Sequence, residues 1–371
     1  MKRLTFLGLL VGTVCHGQIY SRSSYGGAIT ITPGGLYGKT MSPSENSNVA
    51  LGPLALSVNQ TGSNNTAIGS EALFINTNSG NTALGYYSLR NNSTGSGNTA
   101  VGANSLSSNT LGGSNTADGY EVLKNNTEGY QNTASGKSAL FSNTTGYNNT
   151  AIGYGSLYSN KVGSGNTALG YRAGSLIGVY SPVVTFAGGN NTFIGSNANP
   201  LVADIFNATA LGADASVDAS TKVRIGNDAV TVIEGQVAWS YPSDRRLKEN
   251  IKYTSSLGLN FISKLQSVSY NYISDKTKVR HDGFVAQDIE AVMKELNVPF
   301  SGLKKADDGT YSLAYSDFVM PLVNAVKELK QQNEEQQTEI DALKKKLSRM
   351  EELEKRILAL EANAVTIPTS K

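Results

Sequence analysis

The sequence predicts a mainly β protein: a parallel β-roll or solenoid that associates as a trimer, then a small α+β domain, then a C-terminal trimeric coiled coil. Three observations carry this. The tripeptide Asn-Thr-Ala returns at Asn65, Asn81, Asn98, Asn115, Asn132, Asn149 and Asn166, and so regular a period marks a solenoid. Most of the 31 basic and 29 acidic residues lie beyond Tyr241, so two physical regimes share one chain of 371 residues and the composition shifts set its division. Near the C-terminus an apolar seam advances by alternate steps of four and three, the spacing of a coiled coil. The formal net charge of +2 leaves no electrostatic case for nucleic acid as a partner.

The chain opens with Met1-Lys2-Arg3, an apolar run from Leu4 to Val14 and small residues ending at Gly17, the order of a secretory signal. Residues 1–17 are expected to leave by cleavage near Gly17/Gln18, making the protein secreted, extracellular or cell-surface. Cys15 invites a lipoprotein reading, but the bulky Val14 stands where a small residue normally precedes a lipid-modified cysteine. The single cysteine and His16, one of two histidines, leave with the signal. No disulfide, no Cys/His metal site and no cofactor is therefore expected. The apolar run is shorter than the roughly 20 residues that span a bilayer, and no membrane span is expected after signal removal.

Residues 18–60 read as an N-terminal linker or cap and 61–220 as the repeats. Each unit runs Asn-Thr-Ala, an aliphatic residue, Gly, and then a leucine five residues after the aliphatic one. The pairs Ile68/Leu73, Leu84/Leu89, Val101/Leu106 and Ile152/Leu157, with Leu169, are read as inward positions. Asp118 and Ser135 replace the aliphatic residue, leaving Leu123 and Leu140 to fill those coils. An insertion from Leu176 to Gly189 interrupts the pattern, which resumes at Asn191 and Ala208. About nine coils at the strand spacing give a rod on the order of 40 Å long. Glycine and asparagine disfavour helix and supply the left-handed positions of tight corners. Each coil offers little apolar surface against the ordering cost of its residues, so the rods are expected to pack side by side as homotrimers around their leucine faces.

The asparagine ladder is read as structural, since stacked amides hydrogen-bond along such an array. Tyr86, Tyr120, Tyr130, Tyr147, Tyr154 and Tyr171 fit either a stacking surface for sugars or packing at corners, and a cell-surface glycan or protein is the ligand class this region would take. Scattered acids (Glu71, Asp118, Glu121, Glu128) form no pair suited to sugar cleavage, and no calcium-binding nonapeptide is present.

On these units, residues 60 to 215 resemble the head of trimeric autotransporter adhesins, the YadA-like left-handed β-roll built from N-x-x-A-[IV]-G units. The resemblance implies a left-handed coil and threefold association. The chain departs from that family in its longer period and in lacking the C-terminal alternating strands of a barrel anchor.

Residues 221–242 form the expected neck, with β-segments at Thr221 to Gly226 and Val230 to Trp239 turning at Gly226-Asn227-Asp228. Pro242 keeps Tyr241 extended. There follows Ser243-Asp244-Arg245-Arg246-Leu247-Lys248-Glu249-Asn250-Ile251, in which a serine and a lysine five apart are the minimum for a hydroxyl nucleophile with an amine base. The amine must be neutral to act, by desolvation or by neighbouring cations such as Arg245 and Arg246. In regular structure five residues place the two on different faces, so either a turn or a neighbouring subunit must bring them together. The competing reading has Ser243 capping a short helix that begins at Asp244, with Lys248 solvated.

That segment, followed by Gly283-Phe284-Val285-Ala286-Gln287-Asp288 and Tyr311-Ser312-Leu313-Ala314-Tyr315, is similar to the C-terminal intramolecular chaperone domain of phage tail spikes and endosialidases, found also in myelin regulatory factor. The similarity covers about residues 241 to 335. It implies a domain, here 243–320, that trimerises, helps a β-rich fibre fold in register, and releases itself by serine-dependent cleavage. Ser243 would be the nucleophile, Lys248 its general base, and the Ser243-Asp244 bond the junction cut. His281 and Asp288 are the auxiliary candidates, although Asp288 stands where relatives carry glutamate. The resulting expectation is a secreted tail-fibre or adhesin-like structural protein that acts once, on itself, as a serine endopeptidase. The alternative is an uncleaved trimeric surface fibre with this domain as a permanent clamp.

Phe284 to Leu296 reads as an amphipathic helix with Val285, Ile289, Val292 and Met293 on one side, and residues 301–315 as a hairpin turning at Asp307-Asp308-Gly309. The coiled coil is placed at 321–362. Its seam runs Leu322, Val326, Leu329, Asn333, Gln336, Ile340, Leu343, Leu347 and Met350, shifting register at Leu353, Ile357 and Leu360. Residues 363–371 are a tail.

Overall fold

A computed structural model describes residues 48–59, 61–175, 186–237, 240–273, 278–306 and 309–365, with side chains to Glu361. The expected signal segment, Trp239, Asp307-Asp308 and residues 366–371 lie outside these. The chain divides into two compact units, Met1–Ile233 and Glu234–Lys371.

The first unit is a parallel β-solenoid. Eleven three-residue strands pair in sequence order, from Val49–Leu51 and Thr66–Ile68 through Thr209–Leu211 to Val223–Ile225. Each pairs in register with the next, Thr66 with Thr82 and Thr82 with Thr99. The sheet begins one coil before the expected repeats, because Asn48 stands 17 residues before Asn65 and starts the ladder. It also reaches into the expected neck, where Val223–Ile225 is the last strand of the solenoid. The second expected neck strand is not formed: Val230 to Val237 pairs with nothing as a strand, and Val232 and Ile233 are exposed.

Alternation along so short a strand admits one inward side chain, and the alanine takes it. Ala67, Ala83, Ala100, Ala117, Ala134, Ala151 and Ala168 are fully buried. The following aliphatic residue therefore points outward, which corrects half of each expected inward pair: Leu84, Ile152 and Leu169 are 44%, 42% and 47% exposed, and Ile68 and Val101 are half-buried. The other half holds. Leu73, Leu89, Leu106, Leu123, Leu140 and Leu157 are fully buried, each at a corner with φ of 49 to 51°. A left-handed leucine costs about 1–2 kcal/mol, while burying its side chain stabilises by roughly 1.5–3 kcal/mol, so packing wins over the backbone preference. Gly174 takes the corner where the period calls for leucine. The ring of Phe193, standing in the alanine column, approaches the space a side chain at Gly174 would need, so volume missing from one coil is supplied by the next.

Two buried asparagine ladders run along the rod, one from Asn48 to Asn191 and the other from Asn59 to Asn160. In the first, each side-chain oxygen accepts the backbone N–H of the asparagine one coil on, as from Asn98 to Asn115 (2.9 Å) and from Asn115 to Asn132 (3.0 Å). In the second, Asn92, Asn109, Asn126 and Asn143 bond amide to amide at 2.6 to 2.7 Å, and each also donates to a glycine carbonyl three residues on. They meet the polar demand of backbone that no water reaches. At the corner glycines the coils touch backbone to backbone: Gly69 has φ +132°, and a side chain there would run into the Gly85 carbonyl. The corner tyrosines stack on one another. Tyr130 lies 4.9 Å from Tyr147 at 1° between planes, and Tyr154 5.4 Å from Tyr171 at 14°.

In the second unit, α1 (Leu259–Lys264) leads into an antiparallel hairpin of Val268–Tyr270 with His281–Gly283. Then come α2 (Ala286–Leu296), a second hairpin of Leu303–Lys305 with Tyr311–Leu313, and α3 (Val319–Val365). Phe261, Ile289, Phe300 and Phe318 form its small core, with Phe300 and Phe318 edge to face at 4.7 Å. Asn297, left-handed at φ 51°, closes α2. The base of α3 is tied back to α1: Glu328 accepts the Leu259 N–H at 2.8 Å, and Asn324 donates to the Leu257 carbonyl at 3.1 Å. The 47 residues of α3 reach about 70 Å, and its seam residues Leu343 and Leu347 are 54% and 58% exposed.

Candidate active site

The junction is a single helical turn between two extended residues. Asp244, extended at φ −63°, ψ 137°, is the N-cap of a 3-10 turn over Arg245–Leu247, and Lys248 closes the turn, extended at φ −122°, ψ 136°, with its N–H donated to the Arg245 carbonyl. The chain reverses, and Lys248 Nζ donates to Ser243 Oγ at 2.7 Å. A turn within one chain thus removes the spacing obstacle.

Asp244, rather than Ser243, caps the turn. Its carboxylate accepts the Arg246 backbone N–H at 2.8 Å and holds the guanidinium through Nη2 at 2.6 Å. The Arg246 side-chain hydrogen bond, then its backbone N–H, keeps the Asp244 carboxyl below the usual range, and the same contact raises Arg246. The charge of Arg246 is therefore met by Asp244, and it is a poor source of the repulsion that would favour a neutral Lys248. Ser243 and Lys248 are both exposed in the single chain.

The auxiliary candidates lie elsewhere in the unit. The His281 ring sits 5.2 Å from that of Tyr272 and 5.9 Å from that of Tyr270. Asp288 is in the first turn of α2. Among the described residues no hydrogen bond joins either to Ser243 or Lys248.

The sequence reading missed a tyrosine-walled groove of about 600 Å³ between the two hairpins. Its signal was the alternation of Val268, Tyr270 and Tyr272, which puts all three on one face. The Tyr270 and Tyr272 hydroxyls are 3.3 Å apart; this hydrogen bond, then burial, pushes the Tyr270 phenol up to about 12. Tyr311 donates to Glu290 at 3.1 Å and carries Lys305 over its ring at 4.8 Å. Glu290 is held below the ordinary carboxylate range, first by Lys294 and then by Tyr311.

Residues 243–297 match the family model described as Chaperone of endosialidase, a match that begins at Ser243 itself and ends just past α2. No curated protein matches the chain. A β-solenoid followed by this match fits a chaperone domain of the tail-spike and endosialidase kind, and it supports a tail-fibre-like trimerisation and chaperone role for the C-terminal unit.

Proposed function

We propose that the protein is a secreted, homotrimeric, tail-fibre-like structural protein whose C-terminal unit drives assembly and then frees itself by cleavage at Ser243. The observation that carries this is the 2.7 Å contact from Lys248 Nζ to Ser243 Oγ. A neutral Lys248 takes the hydroxyl proton, the oxygen attacks a backbone carbonyl at the junction, the amine departs with a proton, and water hydrolyses the resulting serine ester. A serine reaches its own carbonyl only through a four-membered ring, so cutting the Ser243-Asp244 bond draws the attacking oxygen from a neighbouring copy. Assembly also excludes the water that keeps an exposed amine protonated.

Two unpartnered stripes support the trimer: the outward aliphatic row of the solenoid and the seam of α3, both exposed in one chain. The charged, apolar and small-residue order of residues 1–17 supports secretion.

The second reading, an uncleaved fibre clamped by its C-terminal unit, is favoured by the exposure of both Ser243 and Lys248. A denaturing gel of assembled wild type, Ser243→Ala and Lys248→Ala decides between them. Two fragments from wild type alone support cleavage; one intact band from all three leaves the clamp.

A further inference from the structure

The groove between the two hairpins is lined by Tyr270, Tyr272, Tyr311 and Tyr315, with Val268 and Leu313 beside them and, among the described residues, no charged side chain in its lining. The rings are held in place by bonds independent of any occupant. Tyr270 and Tyr272 meet edge to face at 88°, Tyr311 is fixed by Glu290, and the Tyr315 hydroxyl accepts the Phe284 N–H at 3.0 Å. An aromatic-walled groove whose rings are already fixed is the complement of an extended segment carrying proline, because proline has already given up the freedom that binding would otherwise cost. Its volume also lies within the roughly 300–1,000 Å³ of binding pockets.

Among the described residues, one segment has that chemistry and no partner. Ser240-Tyr241-Pro242 is uncharged, has no regular secondary structure, and leaves Tyr241 78% exposed. The charged run starts just after it, at Asp244. We infer that the groove binds Tyr241-Pro242 of a second copy of this chain and so presents that copy's junction for cleavage, an inference that rests on the self-cleavage reading above. In its own fold the segment stays in solvent, which makes a neighbour the donor. Tyr272 is a positioning residue in this scheme, since it touches the segment beside the reacting bond.

The test is a crosslink in full-length, assembled Ser243→Ala protein. The natural cysteine is removed by Cys15→Ser, and Tyr241→Cys is combined with Tyr272→Cys. Oxidation is expected to give a reducible band of two or more joined chains, absent from either cysteine variant alone. No crosslink, a crosslink closed within one chain, or a crosslink of position 272 to another segment overturns the inference. A second measurement uses the cleavable chain: Tyr272→Ala is expected to slow cleavage roughly tenfold, the scale of a misplaced reacting group, with oligomeric state unchanged. An unchanged rate overturns the inference. If wild type is never cut, the cleavage reading fails, while the crosslink still reports whether the segment docks.

Discussion

The hydroxyl of Tyr315 occupies the space that a side chain on Gly283 would fill, while accepting the N–H of Phe284 at 3.0 Å. The Gly-Phe-Val-Ala-Gln and Tyr-Ser-Leu-Ala-Tyr motifs, far apart in sequence, thus meet in one contact. Gly283→Ala is expected to destabilise the C-terminal unit by about 1–3 kcal/mol, as overpacking does. Tyr315→Phe should cost about 1 kcal/mol for the lost hydrogen bond and relieve part of the Gly283→Ala penalty. Denaturant melts of the two single variants and the double variant measure the coupling; strict additivity would show that the contact carries no weight.

Lys248→Arg separates chemistry from charge. A guanidinium retains the positive charge and the donors but does not deprotonate in proteins, so the fragments should be lost from the gel while assembly remains. Wild-type cleavage with arginine at 248 would rule out Lys248 as the base.

In the ladder, Asn115→Ala leaves the buried N–H of Asn132 without its acceptor, while the Gly129 carbonyl keeps Asn126 as a donor. The orphaned N–H costs about 1–3 kcal/mol. Its outward neighbour Thr116 is exposed, and Thr116→Ala should lie within about 0.5 kcal/mol of wild type. Thermal melts of the two variants give the comparison.

The outward row predicts opposite effects at two of its positions. Leu169→Asp places a charge in a stripe proposed to lie between copies and should shift sedimentation toward single chains without changing the β-sheet signal. Asp118→Leu continues the apolar row and should tighten association. If neither substitution moves the sedimentation profile, the copies do not meet along this row.

Tyr270 gives a pH test. Its folded value of about 12 lies above the ordinary 10.0, so the fold favours the neutral phenol. The stabilisation is complete below pH 10 and is lost as pH rises through 12. Ultraviolet titration should show a late component from Tyr270, beside that of Tyr87, which is also raised, and Tyr272→Phe should return the Tyr270 component toward the ordinary range.

Period, composition and heptad spacing made the architecture legible: coils from Asn65 onward and a long C-terminal helix stand where those patterns put them, and the helix expected from Phe284 to Leu296 forms from Ala286, with Val285 as its N-cap. The first coil escaped notice because Asn48-Val49-Ala50 lacks the threonine of the later units. The outward turn of Leu84, Ile152 and Leu169 was hidden for another reason. A repeat shows which residues share an environment, whereas the inward one of two apolar positions depends on which corner takes the left-handed conformation.

The residues at the candidate site show the same division. Sequence alone determined that a serine and a lysine stand five apart behind a proline. Only the tertiary structure decided that Asp244 caps the turn, that the charge of Arg246 is paired with it there, and that Lys248 reaches Ser243 within one chain. Capping and reversal are set by the backbone angles of Asp244 and Lys248, which spacing along the chain leaves free. The groove is likewise a product of folding, because two hairpins separated by α2 supply its walls.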